Sequence, residues 1–281
     1  IEQSARIKGG KKRITGTVFY QKFSRIAAIL IFPLIILSIF LAISNGISIK
    51  SNEVAYSKIY APENSRMKIS LPDGSLVWLN HGSTLKYPQK FSKKNRNVEL
   101  MGEAFFDVEP ELSRPFEVIT PKQSIKVLGT SFNVSAYPGD PYIATTVEEG
   151  KVIVNKIDEY DRKIKTAELN PGMQSYFMKK TNYTIINKVN PEKYTGWKDG
   201  KLMLIDEPMA VVIKKLERWY NVEVEVLDQR IYDYNYTATF IHEPIEQVMK
   251  MMAIATPISY NIKPGVKQDD NTYSKMKILI K

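Results

Sequence analysis

The chain has 281 residues, of which 43% are hydrophobic and 25% are charged, and this composition excludes extensive disorder. The absence of cysteine excludes disulfides, thiolate nucleophiles and cysteine metal sites. The formal net charge is +10, but much of the excess lies in a short N-terminal tail rather than on a folded basic face, so we expect no direct nucleic-acid binding.

The first predicted segment, residues 1–25, is a basic tail. It contains one acidic residue, Glu2, and seven basic residues: Arg6, Lys8, Lys11, Lys12, Arg13, Lys22 and Arg25. By the positive-inside rule, this tail lies in the cytoplasm. A segment of this length is too short for a stable domain, and because the sequence starts at Ile1 we expect that it is the end of a longer cytoplasmic part.

A transmembrane helix is predicted over residues 26–49, which contain no charged residue. As a helix this run reaches roughly 36 Å, against a hydrocarbon core of about 30 Å. A cleaved signal peptide usually has a shorter apolar region, and a buried core helix would show a polar stripe. The predicted anchor residues, which contact inner-membrane lipid, are Ile26, Leu30, Phe32, Leu34, Leu37, Phe40 and Leu41. The large C-terminal part is then exported, which in a bacterium means to the periplasm.

After a predicted linker over residues 50–66, a mainly β domain is expected over residues 67–190. Met67–Leu71 and Leu76–Asn80 flank a Pro-Asp-Gly-Ser turn and predict a β-hairpin. Further strand candidates are residues 97–100, 104–108, 116–120, 125–128, 131–137, 142–147 and 151–154. Many short strands with tight turns predict a sandwich, a barrel or a β-solenoid.

A small α+β domain is predicted over residues 191–281, because a strand–helix–strand pattern occurs twice, 36 residues apart. The two predicted helical faces are Met209, Val212, Ile213 and Leu216, and Ile245, Val248, Met249 and Met252. The flanking strands are residues 201–205 and 222–226, then 237–241 and 258–262, with a last strand at 276–280. We therefore predict two βαβ units plus one strand. Trp219 and Tyr220 are expected to pack on the sheet rather than form a partner-binding patch.

The common catalytic motifs are absent from the sequence, including the nucleophile elbow, the Walker loop, the dinucleotide fingerprint and the His-Glu-x-x-His helix. The two histidines, His81 and His242, are interpreted as surface or turn residues. We expect no conventional enzyme, no cofactor and no metal site.

One dipeptide, Gly129-Thr130, allows a conditional self-cleavage. A threonine hydroxyl can attack the preceding carbonyl of a strained peptide and give an ester that water hydrolyses. The alternative interpretation is a glycine bulge in a strand.

Several segments in order resemble the FecR family of transmembrane anti-sigma regulators. They are residues 71–80, 85–88, 102–108, 115–118, 127–134 and 148–152. Residues 197–200 and 218–222, with the doubled strand–helix–strand pattern, are similar to the C-terminal domain of FecR proteins of Bacteroidetes-type bacteria. That domain is similar in layout to the short N-terminal signalling domain of secretins and TonB-dependent receptors.

The resemblance implies a role in cell-surface signalling. The exported part would sense the signalling domain of an outer-membrane TonB-dependent transducer, and the cytoplasmic part would control an extracytoplasmic-function sigma factor. The family's sigma-binding domain is not recognisable in residues 1–25, so that partner is expected to bind a part of the protein ahead of this sequence. Some family members are cleaved within the motif matched by Gly129-Thr130. The alternative function is a membrane-anchored periplasmic binding or assembly module with no role in transcription.

Overall fold

The computed structural model describes residues 30–41, 54–268 and 271–281. The tail over residues 1–25 and the anchor residue Ile26 therefore lie outside the described residues, as do residues 42–53. Residues 30–41 form helix α1, on which the remaining anchor residues are exposed: Leu30, Phe32, Leu34, Leu37, Phe40 and Leu41. Within the described ranges, no helix has the length and hydropathy needed to cross a bilayer. The span predicted over residues 26–49 extends beyond these ranges on both sides.

Residues 54–281 form a compact unit that begins with thirteen strands. These strands are β1 Tyr56–Ala61, β2 Met67–Ser70, β3 Leu76–Leu79, β4 Ser83–Pro88, β5 Arg96–Asp107, β6 Phe116–Ile119, β7 Gln123–Val127, β8 Ser131–Ala136, β9 Tyr142–Glu149, β10 Val152–Ile157, β11 Lys163–Leu169, β12 Met173–Met178 and β13 Tyr183–Lys188. We call residues 54–190 the β region.

The long strand β5 joins two halves of one bent sheet. Its first half lies in the order β1-β4-β5-β6-β7-β10-β11, and its second half lies in the order β2-β3-β5-β8-β9-β12-β13. All of these pairs are antiparallel except β5 with β6. Apolar side chains from both halves, among them Phe106, Phe116, Phe132 and Phe177, fill one core. The sheet is thus nearly closed and barrel-like, one of the three predicted arrangements.

The predicted hairpin is confirmed, since β2 and β3 pair from Met67 with Leu79 to Ser70 with Leu76. Gly74 has φ +91° in the turn, and its amide donates to the carbonyl of Leu71 at 3.0 Å. The strands predicted over 97–100 and 104–108 are instead one strand, β5. Gly102 has φ +104° at their meeting point, where a Cβ would overlap Ser83.

Five strands lie outside the predicted set: β1, β4, β11, β12 and β13. Strand β1 lies inside the predicted linker over residues 50–66, so the sheet begins before residue 67. The two edge strands β1 and β13 bury little: only Ala61 of β1 is fully buried and no residue of β13 is, so their apolar signal in the sequence is weak.

The C-terminal region, residues 191–281, contains both helices and strands. Its elements are α2 Glu192–Thr195, a 3-10 helix Gly196–Asp199, β14 Lys201–Pro208, α3 Met209–Tyr220, β15 Val222–Val226, a 3-10 helix Gln229–Asp233, β16 Asn235–Ile241, α4 Ile245–Ala255, β17 Tyr260–Lys263 and β18 Met276–Ile280. Strand β14 pairs antiparallel with β16, while β18 lies between β15, to which it is parallel, and β17.

The prediction of two βαβ units is therefore wrong in its topology, although the order strand–helix–strand is right. A βαβ unit needs its two strands parallel in one sheet, whereas β14 and β15 lie in different sheets. Sequence periodicity identifies each element but carries no information on which strands pair. The two repeats instead pair their first strands with each other and place their second strands on either side of β18.

The two predicted helical faces are confirmed. The buried residues of α3 are Met209, Val212, Ile213 and Leu216, and those of α4 are Ile245, Val248, Met249 and Met252. They form one core with side chains of both small sheets, and Trp219 and Tyr220 pack against that core while half-buried.

Candidate functional site

A cavity of about 510 Å³ lies between the β region and the C-terminal region. Its floor is the face of strands β5, β8, β9 and β12 that points away from the β core, and its opposite wall is α2, the following 3-10 helix, β14 and α3. We call this place the junction cavity.

The floor is polar because side chains alternate along each strand. Ala104 and Phe106 point into the β core, so Glu103 points to the cavity. In the same way, Val134 lies in the core while Asn133 and Ser135 line the floor.

Glu103 is the acidic centre of this floor. Its Oε2 accepts a hydrogen bond from Asn80 Nδ2 at 2.8 Å, and its Oε1 accepts one from Asn133 Nδ2 at 2.9 Å. Burial raises the pKa of Glu103 above its usual value, although these two amides and the charges of Arg218 and Lys215 act in the opposite direction. Among the described residues no lysine or arginine forms an ion pair with Glu103.

Asn133 connects the floor to the C-terminal region. While its Nδ2 donates to Glu103, its Oδ1 accepts a hydrogen bond from Trp197 Nε1 at 3.0 Å. Trp197 is buried in the 3-10 helix Gly196–Asp199, which ends at Gly200 with φ +76°. One side-chain amide is thereby bonded to the C-terminal region through its oxygen and to Glu103 of the β region through its nitrogen.

Arg218, on α3, makes a second connection. Its Nη2 lies 2.7 Å from Asp140 Oδ1, and its guanidinium stacks 3.8 Å from the ring centroid of Tyr137. The Tyr137 hydroxyl donates to the carbonyl of His81 at 3.0 Å, and burial raises the pKa of Tyr137. Arg66 similarly stacks 3.7 Å from the ring centroid of Trp219.

Glu207 anchors two lysines at the side of the cavity. Lys215 Nζ lies 2.6 Å and Lys193 Nζ lies 3.0 Å from its Oε1. Burial acts to raise the pKa of Glu207, but Lys215 and Lys193 together hold it below its usual value.

His81 was interpreted from the sequence as a surface or turn residue, and it is a buried turn residue. It lies between β3 and β4 with 2% of its surface exposed, and burial, assisted by Arg66 and Arg218, lowers its pKa to about 3. Its Nδ1 has no hydrogen-bond partner among the described residues, and the same holds for Gln174 Oε1. His242 is exposed in a turn with φ +63°.

Gly129 and Thr130 lie away from the junction cavity, beside a smaller cleft of about 270 Å³. Thr130 is buried, and its Oγ1 donates to the carbonyl of Lys151 at 3.0 Å. A Cβ on Gly150 would lie 2.8 Å from both Gly129 O and Thr130 Oγ1, so glycine is needed where that chain segment crosses the dipeptide. Gly129 itself is not in the left-handed region.

Sequence reasoning did not single out Glu103, Asn133, Arg218 or Asp140. The alternation along β5 and β8 was a usable signal, because it places a carboxylate and an amide on the face opposite the core. No local sequence pattern predicts that the C-terminal region covers this face.

Comparison with known proteins gives two family matches. The model described as FecR protein matches residues 57–153, and the model described as FecR, C-terminal matches residues 201–267. Glu103 and Asn133 fall in the first matched segment and Arg218 in the second. The junction cavity is thus built from both segments and from the stretch between them.

Two solved structures of a candidate anti-sigma factor from Parabacteroides distasonis ATCC 8503 are similar to this chain. The first has 30% sequence identity and a TM-score of 0.66, covering 80% of this chain and 98% of that one. The second has 31% identity and a TM-score of 0.65, covering 80% and 99%. No curated protein matches the chain.

Proposed function

This chain belongs to the FecR family of anti-sigma regulators, and we propose that it relays a signal from an outer-membrane TonB-dependent transducer to a cytoplasmic extracytoplasmic-function sigma factor. The observation that carries the proposal is the match to both FecR segments, in order, within a chain that covers 98% of a solved relative at 30% identity. A regulator of this kind acts by binding, so its function requires no catalytic residue.

In this proposal the protein is a single-pass protein of the bacterial inner membrane, with its N-terminus in the cytoplasm and residues 54–281 in the periplasm. The uncharged run over residues 26–49 and the basic residues before it support this orientation. Helix α1 adds support, because it exposes side chains such as Phe32 and Phe40 that water solvates poorly.

The transducer's signalling domain is proposed to dock on the C-terminal region by adding a strand. The two-stranded sheet β14-β16 has unpaired edges among the described residues, and β16 exposes Ile241 at its end. An added strand gains backbone hydrogen bonds along such an edge without needing a pocket.

The junction supplies a physical route from docking to the membrane anchor. A partner can bias only states to which it binds with different affinity. Docking would therefore have to favour one arrangement of the Trp197–Asn133 and Arg218–Asp140 contacts over another. A changed junction then alters how the β region, which follows the predicted anchor in sequence, is presented to proteases or to other envelope proteins.

The test is a pull-down between the detergent-solubilised chain and the purified signalling domain of the proposed TonB-dependent transducer. We expect retention at micromolar concentrations. The variant Ile241→Lys should weaken it, since lysine on an edge blocks strand addition, whereas Ile185→Lys on the edge strand β13 of the β region should not. No retention at high micromolar concentration would contradict the docking and favour the periplasmic module without a role in transcription.

A further inference from the structure

The junction cavity has polar atoms that nothing in the described protein satisfies. His81 Nδ1 and Gln174 Oε1 both lie at its floor without a hydrogen-bond partner, in residues that are 2% and 1% exposed. Buried polar atoms are rarely left unpaired, because each loses its hydrogen bonds to water without replacement. Two residues with such atoms line one cavity, which is consistent with a bound molecule that can form hydrogen bonds.

The floor also holds the carboxyl group of Glu103, on which the charges of Arg218 and Lys215 act without forming an ion pair. The Glu103 carboxylate accepts one amide hydrogen bond on each oxygen, and it has no ion-pair partner among the described residues. A carboxylate oxygen can accept more than one hydrogen bond, so acceptor capacity remains on the cavity side. Together with Gln174 Oε1, the floor therefore offers acceptors for a cationic donor.

The side of the cavity next to α3 carries the opposite charge. Lys215 and Arg218 are held there by Glu207 and Asp140, and the exposed Lys214 has no ion pair within the described part of the chain. A ligand that reaches from Glu103 to Lys214 would meet an acceptor at one end and a cation at the other.

The remaining walls are largely aromatic, and the volume suits a small molecule. Tyr142 and Tyr176 pack edge to face with centroids 5.2 Å apart, and Tyr194 and Trp197 lie beside them. Cavities for small ligands generally measure about 300 to 1,000 Å³, and the volume of about 510 Å³ falls within that range.

We propose that the junction cavity binds a small zwitterion, an amino acid or a dipeptide, with its ammonium group on Glu103 and Gln174 and its carboxylate towards Lys214. A neutral polyol has no ammonium group to pair with Glu103 and no carboxylate to pair with Lys214. Because its floor and its wall belong to different regions, the bound ligand holds the β region and the C-terminal region together. This inference goes beyond the proposed relay and does not depend on the identity of the transducer.

The test uses the 281-residue chain in detergent micelles. The probes are the twenty amino acids and a set of glycyl dipeptides, each added singly. Trp197 and Trp219 are two of the three tryptophans and both line the cavity, so tryptophan fluorescence reports binding and calorimetry confirms it. We expect at least one probe to bind with a Kd of about 1 mM or tighter. Its N-acetylated form, which lacks the ammonium, should bind at least about tenfold more weakly.

Variants locate the site. Glu103→Gln should weaken the best probe about tenfold or more, while Glu99→Gln, an exposed position on the same strand, should leave its affinity unchanged. Lys214→Gln, at an exposed position that does not threaten folding, should weaken the probe but not its C-terminal amide. The proposal is overturned if no probe binds, if the N-acetylated form binds equally well, or if Lys214→Gln and folded Glu103→Gln both keep the wild-type affinity.

Discussion

Trp197 and Asn133 are 64 residues apart in the chain, yet the indole nitrogen of one donates to the side-chain oxygen of the other at 3.0 Å. The hydrogen bond is buried, and it joins the C-terminal region to the β region. Since the other end of the Asn133 amide donates to Glu103, the same side chain also orients the acidic floor of the junction cavity.

Replacing Trp197 with phenylalanine removes this donor and leaves Asn133 Oδ1 buried without a partner. We expect the free energy of unfolding to fall by about 1 to 3 kcal/mol. Chemical unfolding of the detergent-solubilised chain, followed by circular dichroism, measures it. Trp78→Phe is the matched control, because Trp78 is partly exposed and packs edge-on against Phe105. An equal loss in both variants would contradict a specific role for the Trp197–Asn133 bond.

Arg218 and Asp140 should be energetically coupled across the junction. A double-mutant cycle with Arg218→Met and Asp140→Asn is expected to give a coupling energy of about 1 kcal/mol, since the pair is only partly exposed. The same cycle on the more exposed pair Lys86–Glu99 should give less than half of that value. Additive effects of Arg218→Met and Asp140→Asn would mean that the ion pair does not hold the regions together.

The buried His81 predicts a loss of stability in acid. Its pKa is about 3 in the folded chain, below the ordinary value of 6.5, so below pH 6.5 the unfolded chain binds a proton that the folded chain does not. Stability should fall as pH drops from 6.5 towards 3, with a limiting slope of about 1.4 kcal/mol per pH unit. Glu103 acts in the opposite sense, because its raised pKa removes stability as pH rises through it.

Comparison of variants separates the contribution of His81 to the pH dependence of stability from that of Glu103. His81→Gln should make the decline between pH 6.5 and 4.5 shallower, while the exposed His242→Gln should reproduce the wild-type profile. Unfolding curves at half-unit pH intervals provide the measurement. Identical slopes for His81→Gln and the wild type would show that His81 does not govern the acid response.

The bond between Gly129 and Thr130 is where we expect any self-cleavage to occur. The step would replace the peptide bond by an ester on Thr130 Oγ1, which water then hydrolyses, so Thr130→Ala should abolish it and Thr130→Ser should retain it. Electrophoresis and mass spectrometry of the purified chain after prolonged incubation give the readout. A single intact band from the wild type would rule self-cleavage out.

Local sequence patterns predicted much of the fold. The helical faces of α3 and α4 follow from apolar spacing, and the β2–β3 hairpin follows from its Pro-Asp-Gly-Ser turn; both depend on residues close in sequence. Pairing of β14 with β16, by contrast, joins residues that are 27 to 40 positions apart, and no local sequence pattern predicts it.

The candidate site was less accessible to sequence reasoning for the same physical reason. In the sequence, Glu103 is one more polar residue of an alternating strand, and only the folded structure shows that the C-terminal region covers it. In the same way, His81 is interpreted as a turn histidine, and only the folded structure places Arg66 and Arg218 near it. Burial of a polar side chain at a junction depends on two distant segments at once, so the sequence of either segment alone does not predict it.

The most direct test of the regulator is transcription in the cell. Deletion of the full-length gene should change expression from promoters of the proposed sigma-factor partner, and restoring the gene should return expression to its original level. A reporter fused to such a promoter measures this under conditions with and without the transducer. Unchanged reporter activity after the deletion, in both conditions, would contradict the account.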